Sequence, residues 1–289
     1  MDAAMLDWTL PPPAEAPALC QPASAAQALA LRQQPGAAYI AGGTALQLAW
    51  GVAEEERPTA GLLIDLLAGA VPAGVALAAL PDGQPALRLG AGTRLEALRR
   101  EPRVRAQAPR LAEALDSIAA PGVRQLATLG GNIAWRCGDA VPALLAAGAW
   151  VELAEGGPQP LESLLQAEPP LIVAVLWPLA SAPWTGWSVF EKLGWRAAFS
   201  PSRLTLAIEV ACVDGRFHRP QLAATAAGWP ARRLAQAEAW LAGRSTSALA
   251  GASAALRQAC LADLQDASRA RLAANLIAAH LMREASVHG

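Results

Sequence analysis

The amino-acid sequence predicts an α+β fold from the order of its elements, large cores from its composition and two or three compact units from its length. Segments with helical and strand-like patterns follow each other in mixed order along the 289 residues, and turn residues that suit hairpins join the strand-like segments. Hydrophobic residues make up 54% of the chain and charged residues 16%, which is enough apolar material for large cores and excludes a disordered protein. The length suits two or three compact units.

The first part of the chain predicts two helices and two strands. Residues 1–22 are rich in Pro and Ala, and consecutive prolines there oppose regular structure. Ser24 is a typical N-cap residue at the start of a helix-forming run. The predicted elements are a helix over 25–32, a strand over 38–41, a short helix or turn over 44–53 and a buried strand over 62–66.

The middle of the chain predicts a hairpin followed by alternating helices and strands. The hairpin turns at Pro81-Asp82-Gly83. Thr93, with Glu96 three residues later, predicts a capping box for the next helix. The predicted elements are helices over 95–100, 110–118 (stopped by Pro121-Gly122), 140–147 and 161–166, and strands over 150–153 and 171–176.

A change of composition near residue 178 predicts a linker and a second region. Prolines and a glycine between residues 178 and 186 are typical of such a linker. The chain is therefore divided into residues 1–178 and 179–289. The elements predicted beyond the linker are a strand over 204–213 that turns at Asp214-Gly215, and helices over 230–242, 248–264 and 269–284.

Two short glycine loops are the most informative features of the sequence. The first is Ala41-Gly42-Gly43-Thr44-Ala45-Leu46 and the second is Thr128-Leu129-Gly130-Gly131-Asn132-Ile133. Glycine accepts positive φ and has no Cβ, so that backbone N–H groups can approach an anion closely or form an anion-binding nest. One Gly-Gly loop is weak evidence because glycine often marks a turn. Two loops of matching design are better explained by one ligand with two phosphates, a dinucleotide.

The usual residues of enzyme active sites are absent from the sequence. The three histidines, His218, His280 and His288, have no Glu or Cys at metal-ligand spacing, and no Gly-x-Ser-x-Gly nucleophile motif occurs. The first loop also lacks the Gly-x-Gly-x-x-Gly pattern of a Rossmann fold. Chemistry without protein acid–base groups points to a cofactor, and a flavin meets that requirement.

Composition excludes several other classes of protein. The net charge of -1, without a basic stripe, gives no reason to expect nucleic acid. No signal peptide and no uninterrupted apolar run of about 20 residues occurs, so we expect a soluble cytoplasmic protein without a membrane span. The scattered cysteines argue against a zinc ribbon or an iron–sulfur cluster held by this chain alone. We expect small buried thiols, with Cys137 beside the candidate site as the exception.

Several further segments, together with the two loops, carry a resemblance to a known protein family. In chain order the matching segments are residues 39–44, 126–134, Gly138-Asp139, 142–145, Phe190-Glu191-Lys192 with Arg196, and 226–232. Together they resemble the FAD-binding medium subunit of molybdenum hydroxylases, the relatives of xanthine dehydrogenase and carbon monoxide dehydrogenase. The resemblance implies a two-lobed FAD-binding region of the PCMH type over residues 1–178, with lobes of about 1–60 and 61–178. A C-terminal sheet-plus-helices domain would follow over 179–289.

The resemblance also implies a function and partners. The chain would carry FAD in a multi-subunit molybdenum hydroxylase, whose substrate is oxidised at a molybdopterin in a large subunit. Electrons would pass through two 2Fe–2S clusters in a small subunit to the flavin, and then to an external acceptor such as NAD, a quinone or oxygen. A dimer of such heterotrimers is one expected assembly.

The cofactor-binding residues that the resemblance implies come from both loops and three later positions. The hydroxyls of Thr44 and Thr128, the amide of Asn132 and the glycine N–H groups would hold phosphate oxygens. Asp139 would accept from ribityl or ribose hydroxyls, unless it is the N-cap of the next helix. Lys192 would lie near the pyrimidine edge of the flavin and stabilise a reduced, anionic ring, unless it is a solvated surface cation. The full set is Ala41, Gly42, Gly43, Thr44, Ala45, Leu46, Thr128, Gly130, Gly131, Asn132, Asp139, Val173 and Lys192.

Two departures from the family pattern leave alternatives open. Ala45 stands where the family usually has Asp, and the segment 135–139 is shorter than the corresponding family segment. Arg136 in that segment either offers a cation near phosphate or is an exposed side chain. The alternative functions are a stand-alone flavin oxidase of the same fold and a degenerate scaffold subunit that no longer binds flavin.

Overall fold

The structure, a computed structural model, describes residues 17–50, 61–165, 170–179, 186–196, 200–251 and 253–288. It contains three β-sheets with helices packed on them, which confirms the predicted α+β class. The helices are α1 (Ala25–Arg32), α2 (Thr44–Trp50), α3 (Leu95–Arg100), α4 (Pro102–Gln107), α5 (Pro109–Ser117), α6 (Pro121–Leu126), α7 (Leu129–Ala134), α8 (Val141–Ala146), α9 (Leu161–Leu164), α10 (Ala235–Leu241), α11 (Ser253–Leu264) and α12 (Ala267–His288). The strands are β1 (Ala18–Cys20), β2 (Ala37–Ile40), β3 (Leu62–Asp65), β4 (Val75–Ala79), β5 (Pro85–Gly90), β6 (Trp150–Leu153), β7 (Gln159–Pro160), β8 (Ile172–Pro178), β9 (Gly186–Gly194), β10 (Ser202–Val213), β11 (Arg216–Ala226) and β12 (Trp229–Arg233).

The first sheet is parallel and has the order β1-β3-β2. Ser24 accepts a hydrogen bond from the N–H of Gln27, so the predicted N-cap of α1 is confirmed. Ala28 of α1 and Ile64 of β3 are fully buried in one cluster beneath this sheet. Because β3 lies between the other two strands, the sheet includes residues just beyond the expected lobe boundary of about 60. The division into lobes stays a prediction.

The second sheet is antiparallel and has the order β4-β5-β8-β6-β7. The predicted hairpin is confirmed, because β4 pairs antiparallel with β5 and Gly83 in the turn has a φ of 88°. Leu87 and Leu89 on β5 are fully buried and share one core with residues of α3, α5, α7 and α8. The strands predicted over 150–153 and 171–176 are observed as β6 and β8.

The predicted capping box of α3 is wrong. Thr93 instead accepts from the N–H of Gly74 (2.8 Å) and donates to the carbonyl of Gly90 (2.6 Å). The N-cap residue of α3 makes no side-chain cap bond. Glu96 is buried and binds arginine side chains, among them Arg124 at 2.7 Å. A buried carboxylate gains more from charged donors than from a main-chain N–H, and this tertiary contact overrides the local pattern.

Three short helices, α4, α6 and α7, are not among the predicted elements. Proline opens both α4 and α6, a position that proline favours because it has no N–H to leave unpaired. Pro121 therefore starts a helix where the sequence pattern predicts only a stop. The second glycine loop is itself the first turn of α7, and Thr128 is its N-cap. A helix N-terminus thus lies at the second predicted phosphate contact.

The third sheet is antiparallel and has the order β12-β11-β10-β9. The predicted turn at Asp214-Gly215 joins β10 to β11, and both turn residues have positive φ. The helix predicted over 230–242 is wrong in its first part, because β12 lies there and α10 follows it. Pro230 is tolerated in β12 because β12 is an edge strand. Strand β9 was not predicted, and most of the expected linker lies outside the described residues.

Small side chains bring the third sheet close to α5 and α8. Ala114, Ala143 and Ala146 form one almost fully buried cluster with Ala207 of β10. Phe190 of β9 packs against the same cluster. The opposite face of β10 packs on α10, α11 and α12. Because alanine adds so little bulk, the turn before α8 comes within hydrogen-bond distance of β9 and β10.

Candidate cofactor site

The two glycine loops lie against each other. A Cβ atom placed on Gly42 would be 2.0 Å from the carbonyl oxygen of Leu126 and 2.9 Å from Cα of Ala127. No side chain fits in that space without moving the main chain, so position 42 requires glycine. Ala127 immediately precedes Thr128. The first loop is therefore packed on the residues that lead into the second.

The first loop presents main-chain donors that have no acceptor among the described residues. Gly43 has a φ of 68°, and α2 begins directly after it. The N–H groups of Thr44, Ala45 and Leu46 belong to the first turn of α2 and have no acceptor within the helix. No hydrogen bond from these three groups is found within the described residues. All three residues are half-buried, and their N–H groups form a concentrated patch of positive partial charge.

The second loop differs from the first because its N–H groups already have acceptors. Gly130 also packs closely on the sheet, since a Cβ there would lie 2.9 Å from Cβ of Ala91. Thr128 is 1% exposed and acts as a helix cap, so its predicted role as a phosphate ligand receives no support from its position. The three bonds run from Leu129 N to Thr93 O (3.0 Å), from Gly130 N to Ala91 O (2.9 Å) and from Gly131 N to Thr128 Oγ1 (3.1 Å).

Asn132 shapes the turn that carries Asp139. The Asn132 Oδ1 atom accepts a hydrogen bond from the N–H of Ala140 at 3.3 Å. A Cβ on Gly138 would lie 2.2 Å from this same oxygen, so the turn passes directly over the Asn132 side chain. Although the segment 135–139 is short, this contact fixes where Asp139 points.

Asp139 and Lys192 form a largely buried ion pair. Lys192 Nζ lies 2.7 Å from Asp139 Oδ2, and the two side chains are 12% and 14% exposed. Thr205 on β10 donates to Asp139 Oδ1 at 2.7 Å, and Lys192 also donates to the carbonyl of Ser117 at 3.3 Å. The N-cap of α8 is Ala140, so Asp139 is not the helix cap, and Lys192 is not a solvated surface cation. The two purely structural alternatives, a helix cap for Asp139 and a solvated cation for Lys192, are therefore excluded.

Lys192 is the single lysine of the sequence, against 23 lysines and arginines in total. The chain otherwise uses arginine as its cation. A lysine ammonium is a compact point charge on a flexible stem, whereas a guanidinium is a broad planar fork. The tight contacts with Asp139 and Ser117 therefore suit lysine better than arginine.

The sequence-predicted residues form one continuous region. Val173 on β8 is half-buried, and its carbonyl accepts from the N–H of Ala91 (2.9 Å), the residue on which Gly130 packs. The contacts continue from the first loop to the second, through α7 to Asn132, and from the turn at Asp139 to Lys192. Binding of a cofactor by these residues stays a prediction.

Two arginines near the region were missed by the sequence analysis. Arg94 donates through its guanidinium to the carbonyl of Leu126, the oxygen that lies beside Gly42. Arg124 donates to the carbonyls of Ile118 and Ala119, both at 2.7 Å. Neither residue belongs to a motif. The fold brings Arg94 beside the loops, and it places Arg124 beside the buried Glu96.

Arg136 is not an exposed side chain, and a contact of its guanidinium with phosphate stays a prediction. Its guanidinium donates to the carbonyl of Leu165 at 2.7 Å, and its carbonyl accepts from the N–H of Ala231 at 2.8 Å. The buried Nε atom has no hydrogen-bond partner among the described residues. Burial raises the pKa of the neighbouring Cys137 thiol, partly offset by the charge of Arg136.

Features of other kinds of site are not found in the described ranges. These ranges contain no cluster of side chains that suits a metal ion, and their cysteines are all unpaired. Nor do they contain a helix with the length and apolar character that a membrane span requires.

Comparison with known families decides the assignment of the chain. The family model for the FAD binding domain in molybdopterin dehydrogenase matches residues 15–169. The chain belongs to this family. The matched range includes both glycine loops and Asp139, and it ends before Val173 and Lys192. The chain therefore carries an FAD-binding domain of an oxidoreductase.

Solved structures share the fold of this family member along nearly its whole length. A carbon monoxide dehydrogenase from Hydrogenophaga pseudoflava, which lacks the Mo-pyranopterin moiety of the molybdenum cofactor, is 24% identical, with 92% of this chain and 96% of that chain covered and a TM-score of 0.76. Reconstituted CO dehydrogenase from Oligotropha carboxidovorans is 21% identical, with coverages of 93% and 96% and a TM-score of 0.72. Quinoline 2-oxidoreductase from Pseudomonas putida 86 is 20% identical, with coverages of 93% and 98% and a TM-score of 0.72. A comparison with curated protein sequences gave no match.

The residues of the first loop suit the pyrophosphate of FAD. A pyrophosphate needs close main-chain donors, and the first turn of α2 offers three without partners in the described chain. Gly43 adds no side chain that would cover them, since a Cβ there meets only the side chain of Ile40, at 3.6 Å. The donor set therefore suits the anionic part of the cofactor.

Proposed function

We propose that the chain is the FAD-carrying electron-transfer subunit of a multi-subunit molybdenum hydroxylase. It would pass electrons from iron–sulfur clusters of a partner subunit to an external acceptor. The observation that carries the proposal is the continuous contact of the two glycine loops with the Asp139–Lys192 pair, in a chain of this family. The flavin of bound FAD takes up and releases electrons, which the protein's own side chains cannot do.

The residues divide into three tasks in this proposal. The N–H groups of Thr44, Ala45 and Leu46 bind the pyrophosphate, with Gly42 and Gly43 allowing the loop to approach it. The second loop supports the first by packing, because its own N–H groups are already bonded. The Asp139–Lys192 pair holds a fixed positive and a fixed negative group beside the cofactor, and Val173 lines the approach.

The partners follow from the family and stay part of the proposal. A small subunit would hold the 2Fe–2S clusters and a large subunit the molybdopterin, and a dimer of such heterotrimers is one expected assembly. The acceptor would be external to all three chains. A cytoplasmic location is expected for the assembly, in agreement with the unpaired cysteines of the described residues.

The test of FAD binding uses a glycine variant with a matched control. Gly43→Val adds a β-branched side chain at a φ of 68° in the first loop, and Gly83→Val adds one at a φ of 88° in the β4–β5 turn, where a new Cβ has open space. Both substitutions strain the backbone similarly, and only the first faces the proposed pyrophosphate site. We expect yellow wild-type protein with about one FAD per chain, little FAD in Gly43→Val and full FAD in Gly83→Val, with both variants folded by circular dichroism.

Each alternative gives a different result. A folded, colourless wild-type chain that takes up no added FAD would identify a scaffold subunit and overturn the proposal. Yellow protein that oxidises an aldehyde, purine or N-heterocycle without partners would favour the stand-alone oxidase. Co-purification of iron and molybdenum with the tagged chain is the result that the proposal requires. Full FAD content in Gly43→Val would show that the first loop is only a turn.

A further inference from the structure

Arg94 is held beside both glycine loops. Its guanidinium donates to the carbonyl of Leu126, the same oxygen that lies closest to Gly42. Its main chain forms a β-bridge with Thr128, the N-cap of α7. Both the side chain and the backbone of Arg94 are therefore fixed at the junction of the two loops.

Arg94 differs from the nearby cations in having no acidic partner among the described residues. Lys192 is paired with Asp139, and Arg124 with Glu96. The side-chain bond of Arg94 goes to a neutral carbonyl. Its positive charge is thus not neutralised by any described carboxylate.

We propose that Arg94 binds the pyrophosphate of FAD and balances its charge. This inference rests on the proposed function, because it needs FAD at the first loop. The donors that the loop itself offers are neutral N–H groups, whereas a pyrophosphate is an anion. A guanidinium carries five donors in a rigid fork that matches phosphate oxygens, and the bond to Leu126 leaves donors for a ligand.

The proposal predicts that loss of the Arg94 guanidinium weakens the binding of the pyrophosphate and not of the flavin. Loss of the guanidinium removes a charge-assisted hydrogen bond to phosphate, which corresponds to about 10- to 100-fold in Kd. ADP, which carries the pyrophosphate without the flavin, should be affected as FAD is. The attraction is electrostatic and lies near the surface, so the loss should shrink as salt rises.

The experiment compares Arg94→Met, Arg94→Lys and a control, Arg103→Met. Arg103 is exposed and, like Arg94, donates to a main-chain carbonyl, that of Val75; its hydrogen bonds among the described residues reach neither loop. Apo-protein of each full-length variant is titrated with FAD and with ADP by calorimetry, at low salt and at about 0.5 M salt. Thermal unfolding of the apo-proteins reports whether the variants fold.

The expected result is weaker binding of both ligands by Arg94→Met at low salt, a smaller difference at high salt, partial recovery in Arg94→Lys and no change in Arg103→Met. Equal FAD affinity in Arg94→Met and wild type would overturn the inference. So would a loss that is the same at both salt concentrations, because that marks a packing role through Leu126. A wild-type chain that binds no FAD would overturn the proposed function itself, which distinguishes the two failures.

Discussion

Replacing Lys192 with methionine is expected to destabilise the protein by about 3 kcal/mol. Methionine keeps most of the stem and removes the charge. The Asp139 carboxylate would then stay largely buried, with the hydroxyl of Thr205 as its remaining side-chain donor among the described residues. A buried carboxylate without a counter-ion is costly, and the folded state alone bears that cost.

The magnitude follows from the geometry of the pair. At the 2.7 Å separation of Nζ and Oδ2, Coulomb's law with an effective dielectric constant of about 20 gives an upper bound of roughly 6 kcal/mol. Desolvation of both groups offsets part of this, and removal of one partner from a buried pair typically costs about 3–5 kcal/mol. Because Thr205 keeps its bond and Asp139 keeps slight exposure, the lower end of that range applies.

A double-mutant cycle with Asp139→Asn measures the pair directly. The free energy of unfolding is measured by denaturant titration of the apo-protein for wild type, both single variants and the double variant. We expect a coupling energy of about 2 kcal/mol, with the double variant more stable than Lys192→Met. Single effects that simply add would refute the reasoning, because they would show that the ion pair is not formed in solution.

The same Lys192→Met variant tests the role proposed for the cation in the loaded protein. FAD should stay bound, because the proposed pyrophosphate contacts lie on α2 and not on β9. The flavin midpoint potential should fall, because a fixed cation stabilises added negative charge. An unchanged potential would mean that Lys192 contributes only to the packing of the third sheet.

Two carboxylates are expected to give opposite pH dependences of stability. Hydrogen bonds from Arg99, and then from Arg124, lower the pKa of Glu96 to about 2. The stabilisation that the Glu96 carboxylate provides is therefore complete above its ordinary pKa of 4.5, and it is lost as the pH falls from 4.5 toward 2. Glu96→Gln should therefore flatten the acid side of a plot of Tm against pH, and an unchanged acid side would contradict this. Burial raises the pKa of Glu209 to about 7, and the charge of Arg110 partly offsets this rise. Between pH 4.5 and about 7 the folded protein therefore holds a proton that the unfolded chain releases, so that stability falls as the pH rises through this interval. Glu209→Gln should remove that fall, and a variant that loses stability over the same interval as wild type would show that another group is responsible.

Local sequence patterns predicted the elements that depend on local interactions. Ser24 caps α1 because its hydroxyl needs only the N–H groups of the following turn. The β4–β5 hairpin was predicted because its turn needs positive φ, which glycine at position 83 provides. Gly42 and Gly43 were singled out because glycine accepts positive φ and has no Cβ. Gly43 has a φ of 68°, and Gly42 is required by its contact with Leu126.

The errors arise where a distant contact competes with a local one. Glu96 was assigned to a capping box, and the arginine side chains around it provide stronger partners than the N-cap N–H. Pro230 was placed in a helix, and it lies in an edge strand, where its missing N–H costs nothing. Arg94 could not be found from sequence, because its position depends on the bridge to Thr128.

The candidate site also couples the cofactor region to the third sheet. Asp139 lies within the range matched by the family model, whereas Lys192 and Thr205 lie beyond it on β9 and β10. Both reach Asp139 only because the alanine cluster of α5, α8 and β10 lets the sheet approach closely. A bulkier side chain at Ala207 would push the sheet away from α8 and lengthen the ion pair, without touching either glycine loop. The electrostatics of the site therefore depend on packing between parts of the chain that no single motif contains.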